Sequence, residues 1–75
     1  MADVVLDAKG LNCPLPILKA KKAMSTVPVG GSLEILATDP GSVKDFESFC
    51  RQTGQSLLSS TQDGSVFKFV IQRNK

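Results

Sequence analysis

The chain contains no histidine, no tryptophan and no tyrosine. Without imidazole there is no Ser/His or Cys/His catalytic pair, no histidine metal ligand and no switch built on an unperturbed group titrating near neutral pH. Charge of one sign is also scarce: nine Lys and Arg against seven Asp and Glu leave a net charge of +2. That is far from the dense basic stripe that neutralises several phosphates, so direct nucleic-acid binding is not expected. No run approaches the roughly 18 apolar residues of a transmembrane helix. The first ten residues carry Asp3 and Asp7 in a short apolar stretch and lack the basic flank of a signal peptide. These absences point to a cytoplasmic protein with no membrane contact. At 75 residues there is room for one domain, spanning 1–75, because a chain this short buries only roughly 60% of its unfolded surface. With 41% hydrophobic and 21% charged residues it has the apolar material for a packed core and too little charge for disorder.

Turn signals divide the chain into six short segments. Residues 4–7 read as a strand ending at Lys9-Gly10. Residues 17–24 follow Asn12-Cys13-Pro14-Leu15-Pro16 and read as a helix, with Ile17, Ala20, Ala23 and Met24 on one face, Lys19 and Lys22 pointing away and Lys21 at the boundary. Beyond the Pro28 and Gly30-Gly31 loop, residues 32–38 alternate Leu33, Ile35 and Ala37 with their neighbours, the pattern of a strand. Asp39-Pro40-Gly41-Ser42 offers a helix cap, with Asp39 as the capping residue. It leads into 43–53, where Val43, Phe46, Phe49 and Cys50 recur at helical spacing, and Gly54 ends the run. Asp63-Gly64 between 57–61 and 66–72 reads as a hairpin turn, which pairs Leu58 with Phe69 and Ser60 with Phe67.

The order βαβαββ hides its apolar faces in one arrangement, an α/β chain of the α+β two-layer sandwich type with two helices on one face of a four-stranded mixed sheet. If the first two strands are parallel with right-handed crossovers, both helix amino termini share one sheet edge. Cys13 then lies beside the Asp39-Pro40-Gly41-Ser42 loop, where open α/β sheets bind ligands.

Cys13 is followed by two prolines, Pro14 and Pro16, where a helix begins. Proline suits the first turn of a helix and not its interior. Two registers fit: Cys13 as N-cap, with the Leu15 N–H as the main donor left for the sulfur, or Leu15 as N-cap with Pro16 at the first helical position. In either, the sulfur lies near the positive end of a helix dipole, worth roughly 0.3 to 1 kcal/mol and occasionally about 2 to an anion. That lowers a thiol from about 8.5 by a fraction of a unit to about 1.5 units, giving a populated, nucleophilic thiolate without strong acidification. A buried, inert cysteine would need neither the prolines nor the helix terminus.

The segment from Leu6 to Lys22, with Cys13-Pro14-Leu15-Pro16 at its heart, resembles the signature of the TusA/SirA-like sulfur-carrier family. The resemblance extends through Ala37-Thr38-Asp39-Pro40-Gly41-Ser42 and the closing hairpin. It implies a small βαβαββ sandwich that takes sulfur as a persulfide on the motif cysteine, here Cys13, framed by Pro14 and Pro16. It also implies transient protein partners: pyridoxal-phosphate cysteine desulfurases or rhodanese-like proteins as donors, and DsrE-type proteins as acceptors, in tRNA thiolation or sulfur oxidation. Such a carrier needs no general base, and no metal or cofactor is expected.

Cys50 shares the face of Phe46 and Val43 and reads as a core cysteine; its functional reading is a resolving thiol for Cys13. Asp39 is a helix cap that also stands where a partner would touch it. Lys19, Lys21 and Lys22 are either a solvated face or a docking surface for acidic partners. Two other functions compete with the carrier: a thiol redox protein using both cysteines, and a binding module without chemistry. RNA binding is disfavoured because Phe67 and Phe69 fall on the helix-covered side of the sheet.

Overall fold

The computed structural model describes residues 3–12 and 14–75. Its elements run β1 (Val4–Ala8), α1 (Leu15–Met24), β2 (Ser32–Ala37), α2 (Ser42–Thr53), β3 (Ser56–Asp63) and β4 (Val66–Gln72). Period-two burial fixes the sheet's inner face. In β2, Leu33, Ile35 and Ala37 are buried while Ser32, Glu34 and Leu36 are half-buried; in β4, Phe69 and Ile71 are buried and Lys68 is exposed. The strand order is β1-β2-β4-β3, with β1 parallel to β2 and β4 antiparallel to both β2 and β3. Only β4 therefore runs against the other three, and each helix is the crossover between two parallel strands. Both helices lie on the inner face, α1 over β1 and β2, α2 over β3 and β4. This is the expected two-layer architecture.

The core forms between the layers. Phe46 of α2 is fully buried, its ring centroid 4.8 Å from Phe69 and 6.2 Å from Phe49 in an edge-on contact. Pro16, Ala20 and Met24 make the buried stripe of α1, at the i, i+4 spacing of one helix face. The chain's end closes the opposite side: the Arg73 guanidinium donates from Nη1 to the carbonyls of Val27 (2.6 Å) and Met24 (3.4 Å), fastening the turn after α1, where the Met24 carbonyl also accepts the Val27 N–H at 3.1 Å. Gly54 ends α2 in the left-handed conformation (φ +78°) and donates its N–H to the Cys50 carbonyl at 2.9 Å.

The hairpin differs from the sequence expectation. Its loop residues are Gly64 and Ser65, not Asp63 and Gly64, so Asp63 pairs with Val66, Gln62 with Phe67 and Ser60 with Phe69. Gly64 has φ +63°, and a two-residue loop that opens on such a residue favours glycine in the first position. A bulge between Leu57 and Ser59 then sets Leu57, rather than Leu58, opposite Ile71 and leaves Leu58 exposed on the open sheet face.

Candidate functional site

Two loops meet at one sheet edge because β1 and β2 are parallel and end in register, Ala8 beside Ala37. Each leads into a helix, so the amino termini of α1 and α2 share that edge. A long-range bond ties the loops: the Gly10 N–H donates to Thr38 Oγ1 at 2.9 Å. The loop from β1 is further shaped by the Leu11 N–H donating to the Ala8 carbonyl (3.3 Å) and the Lys9 N–H donating to Asp7 Oδ1 (3.0 Å).

Cys13 itself lies outside the described residues. The residues on either side of it settle the register of α1, and it is neither of the two expected. Pro14 is the N-cap (φ −97°, ψ 16°), Leu15 the first helical residue and Pro16 the second. The Leu15 N–H donates to the Asn12 carbonyl at 2.8 Å, and the Leu18 N–H donates to the Pro14 carbonyl at 3.1 Å, closing the first turn. Pro16 forfeits nothing there, since the first N–H groups of a helix have no intrahelical acceptor. The bias of a residue before proline against helical angles, which favoured Leu15 as cap, yields to that turn. The Leu15 N–H, expected as the main donor to the sulfur, is already engaged. In sequence, Cys13 is the residue immediately before the N-cap.

Asp39 is not the N-cap of α2; Gly41 is. Asp39 instead builds the turn before it: its Oδ1 accepts the Gly41 N–H at 3.0 Å and its carbonyl accepts the Ser42 N–H at 2.9 Å. An aspartate bonding two residues along, with Pro40 between to fix φ, is a turn former, and the helix starts only once that turn is complete. Ser42, the first residue of α2, is 1% exposed, and its Oγ has no hydrogen-bond partner among the described residues. Its burial was not legible in the sequence, because a small polar residue in a loop signal carries no mark of it.

Lys19, Lys21 and Lys22 are all exposed, and α1 has no acidic residue in its first turn. The helix divides them. Lys19 and Lys22 line a cleft toward β1 with Leu6, Ala23 and Thr26, whereas Lys21 lines a groove toward α2 with Pro14, Ile17, Asp45 and Phe49. Between the two flanks stand Leu15, 46% exposed, and Leu18, 54% exposed. Neither leucine was identified from sequence; their positions relative to Pro16, Ala20 and Met24 on the helical wheel were the available signal.

Cys50 is free and 5% exposed, packed in the core as expected. Burial pushes its thiol from 9.0 up to about 11. The thiol is therefore neutral at pH 8, and the stabilisation it contributes, complete below about 9, is lost as pH rises through about 11. In a Cys13→Ser variant, iodoacetamide is expected to leave the folded protein unmodified at pH 8 and to alkylate Cys50 once urea unfolds it. Rapid alkylation of the folded variant would contradict this burial. Among the described residues no cluster of three or more metal-ligating side chains is present, and no helix is long and apolar enough to cross a membrane.

Against known protein families, the one described as Sulfurtransferase TusA matches residues 4–73. The chain belongs to this family. A sulfur carrier protein TusA from Allochromatium vinosum is 53% identical over 72 residues, covering 96% of this chain and 95% of that protein. A sulfur carrier protein TusA from Pseudomonas putida is 38% identical over 71 residues, covering 95% and 89%. The crystal structure of a SirA-like protein from Desulfitobacterium hafniense superposes with a TM-score of 0.82 at 24% identity, covering 96% of this chain and 99% of that one. That structure shares the fold. The TusA-family assignment and the βαβαββ architecture thus agree with the resemblance seen in the motif around Cys13.

Proposed function

We propose that this protein is a sulfur carrier that accepts sulfane sulfur as a persulfide on Cys13 and passes it to an acceptor protein. The observation that carries the reading is the family match across residues 4–73, with the TusA relatives named as sulfur carriers. Site chemistry supports it. Cys13 directly precedes Pro14, the cap of α1, so the positive end of that helix favours an anionic sulfur. Because the Leu15 N–H bonds Asn12, the stabilisation comes from the dipole rather than from that amide, which fits a thiolate of moderate acidity. Such a thiolate both attacks and leaves readily.

The transfer balances without an added oxidant. The Cys13 thiolate attacks the outer sulfur of a donor persulfide; a new S–S bond forms on Cys13, the donor's S–S bond breaks, and the donor departs as a thiolate. Delivery reverses the roles, with an acceptor thiolate taking the outer sulfur and Cys13 leaving. Pro14 and Pro16 fix the backbone beside the sulfur; Asp39 at the sheet edge and Lys19, Lys21 and Lys22 along the flanks of α1 are the groups a partner meets. A cysteine desulfurase or rhodanese-like protein is the donor, a DsrE-type protein the acceptor, and the contacts are transient because a carrier must leave one protein to reach the next.

The test is intact mass after incubating reduced protein with a cysteine desulfurase and cysteine. One added sulfur atom is expected in the wild type and in Cys50→Ser, and none in Cys13→Ser. An internal disulfide requiring both cysteines would replace the carrier with a redox protein, and an unchanged mass would replace it with a binding module.

A further inference from the structure

The carboxyl ends of α1 and α2 border a pocket of about 210 Å³. α1 is 10 residues long, so its last turn lies about 15 Å from the cap that follows Cys13. Met24 and Phe49 form the pocket's apolar part, and its charged lining is wholly basic: Lys21, Arg73 and Lys75. The helix ends offset some of that charge, each being equivalent to about half a negative unit, which leaves about two positive units over. Among the described residues no carboxylate lies within ion-pair distance of the three cations; the ion pairs there are Lys9 with Asp7 and Lys68 with Glu34. Several of the pocket's donors are held in place. The Arg73 guanidinium is fixed by its Nη1 bonds to Val27 and Met24 and by Nε donating to the Lys75 carbonyl at 2.8 Å, which leaves Nη2 without a partner among the described residues. Gln55 Oε1 accepts the main-chain N–H groups of Asn74 (2.6 Å) and Lys75 (3.4 Å), so its Nε2 group is likewise unused. The Lys75 side chain lies across Gly54, where a Cβ would come 2.8 Å from its Cε and 2.9 Å from its Nζ. The hydroxyls of Ser25 and Thr53 donate back to the helix carbonyls of Lys22 and Phe49, both at 2.6 Å. Donation into the pocket therefore falls to the guanidinium, the amide and two ammonium groups.

We infer that this pocket is a binding site for a tetrahedral oxyanion of the phosphate class, held by Arg73 Nη2, the Gln55 amide and the ammonium groups of Lys21 and Lys75. Hydrogen bonds from charged donors to an anion are the strong ones, and a dianion gains from each cation twice what a carboxylate gains. A guanidinium and an amide already fixed by main-chain bonds lose little freedom when the ion arrives. The site lies at the other end of α1 from Cys13, so it goes beyond the carrier reading and does not depend on it.

The test is a titration of the reduced protein with inorganic phosphate at pH 8, followed by proton–nitrogen correlation NMR, with sodium chloride adjusted to hold the ionic strength constant. Saturable shifts are expected at the Gln55 side-chain amide and the Arg73 Nε–H, with a dissociation constant on the order of 1 mM. Gln55→Glu keeps an oxygen for the Asn74 N–H but puts negative charge in place of the free amide, and is expected to weaken binding at least about tenfold. Lys21→Gln/Lys75→Gln is expected to weaken it as much. Lys19→Gln/Lys22→Gln, which removes the same charge from the β1 flank of α1, is expected to stay within about twofold of wild type. The spectra before phosphate is added show whether each variant is folded. Phenyl phosphate identifies the source of the ion: tighter binding than inorganic phosphate assigns the site to a phosphate monoester that reaches Met24 and Phe49, and equal or weaker binding assigns it to the free ion. Shifts that do not saturate, an equal loss in the two lysine pairs, or an equal response to acetate would overturn the site while leaving the loading of Cys13 untouched.

Discussion

Replacing Cys13 by serine is expected to abolish sulfur uptake from a cysteine desulfurase, while replacing Cys50 by serine is expected to leave uptake within about twofold of wild type. The expected asymmetry follows from the proposed role of Cys13 and from the burial of Cys50. A serine hydroxyl cannot form the S–S bond that the proposed carrier uses to hold its cargo, and Cys50 is not expected to substitute. Cys50 is 5% exposed and burial holds its thiol near 11. At pH 8 about one molecule in a thousand would carry a Cys50 thiolate, against about one in four for an ordinary exposed thiol near 8.5. Burial then denies a partner access even to that fraction. Substantial uptake by Cys13→Ser, measured by intact mass, would mean that sulfur enters elsewhere.

The second large effect is on stability. Phe46→Ala is expected to cost about 3 to 5 kcal/mol, since it removes a fully buried ring and leaves a cavity between α2 and the sheet. Phe46 joins the layers by meeting Phe69 at 4.8 Å with its ring tilted 35° and Phe49 edge-on at 6.2 Å, so the loss strikes both helix and strand contacts. A 75-residue domain has roughly 4 to 11 kcal/mol in total, so the variant is marginal or unfolded at room temperature. Urea unfolding followed by circular dichroism measures this, with the midpoint falling by about 3 M or more at a slope near 1 kcal/mol per molar. Phe46→Leu, which retains most of the volume, is expected to lose less. A cost below about 1 kcal/mol for Phe46→Ala would mean that α2 is held by other contacts.

Much of this was legible in the residues. Alternation in 32–37 and 66–72 and the helical recurrence of Val43, Phe46, Phe49 and Cys50 follow from a single buried face, and a single buried face is what fixes the layers. Details decided by backbone conformation were less accessible. Asp63-Gly64 and Gly64-Ser65 are both plausible hairpin loops on paper; the left-handed φ of Gly64 in the first loop position, together with the bulge at Leu58, selects the second. Asp39 carries the composition of a cap, yet whether an aspartate caps a helix or closes the turn before it depends on where the first helical carbonyl falls. The start of α1 likewise turned on one bond, from the Leu15 N–H to the Asn12 carbonyl, which no residue preference announces. The lysines were visible as a cluster, but their division between two flanks depends on where β1 and α2 pack, and so did the exposure of Leu15 and Leu18.

On the proposed carrier function, Cys13 must give up its cargo as well as take it. The most direct measurement mixes purified persulfide-loaded protein with glutathione and follows both products by mass. A carrier whose Cys13 is a good leaving group is attacked at the outer sulfur, returning the protein to its reduced mass and producing glutathione persulfide. Formation of a Cys13–glutathione mixed disulfide with release of hydrogen sulfide would contradict the account, because the sulfur would then be lost rather than passed on.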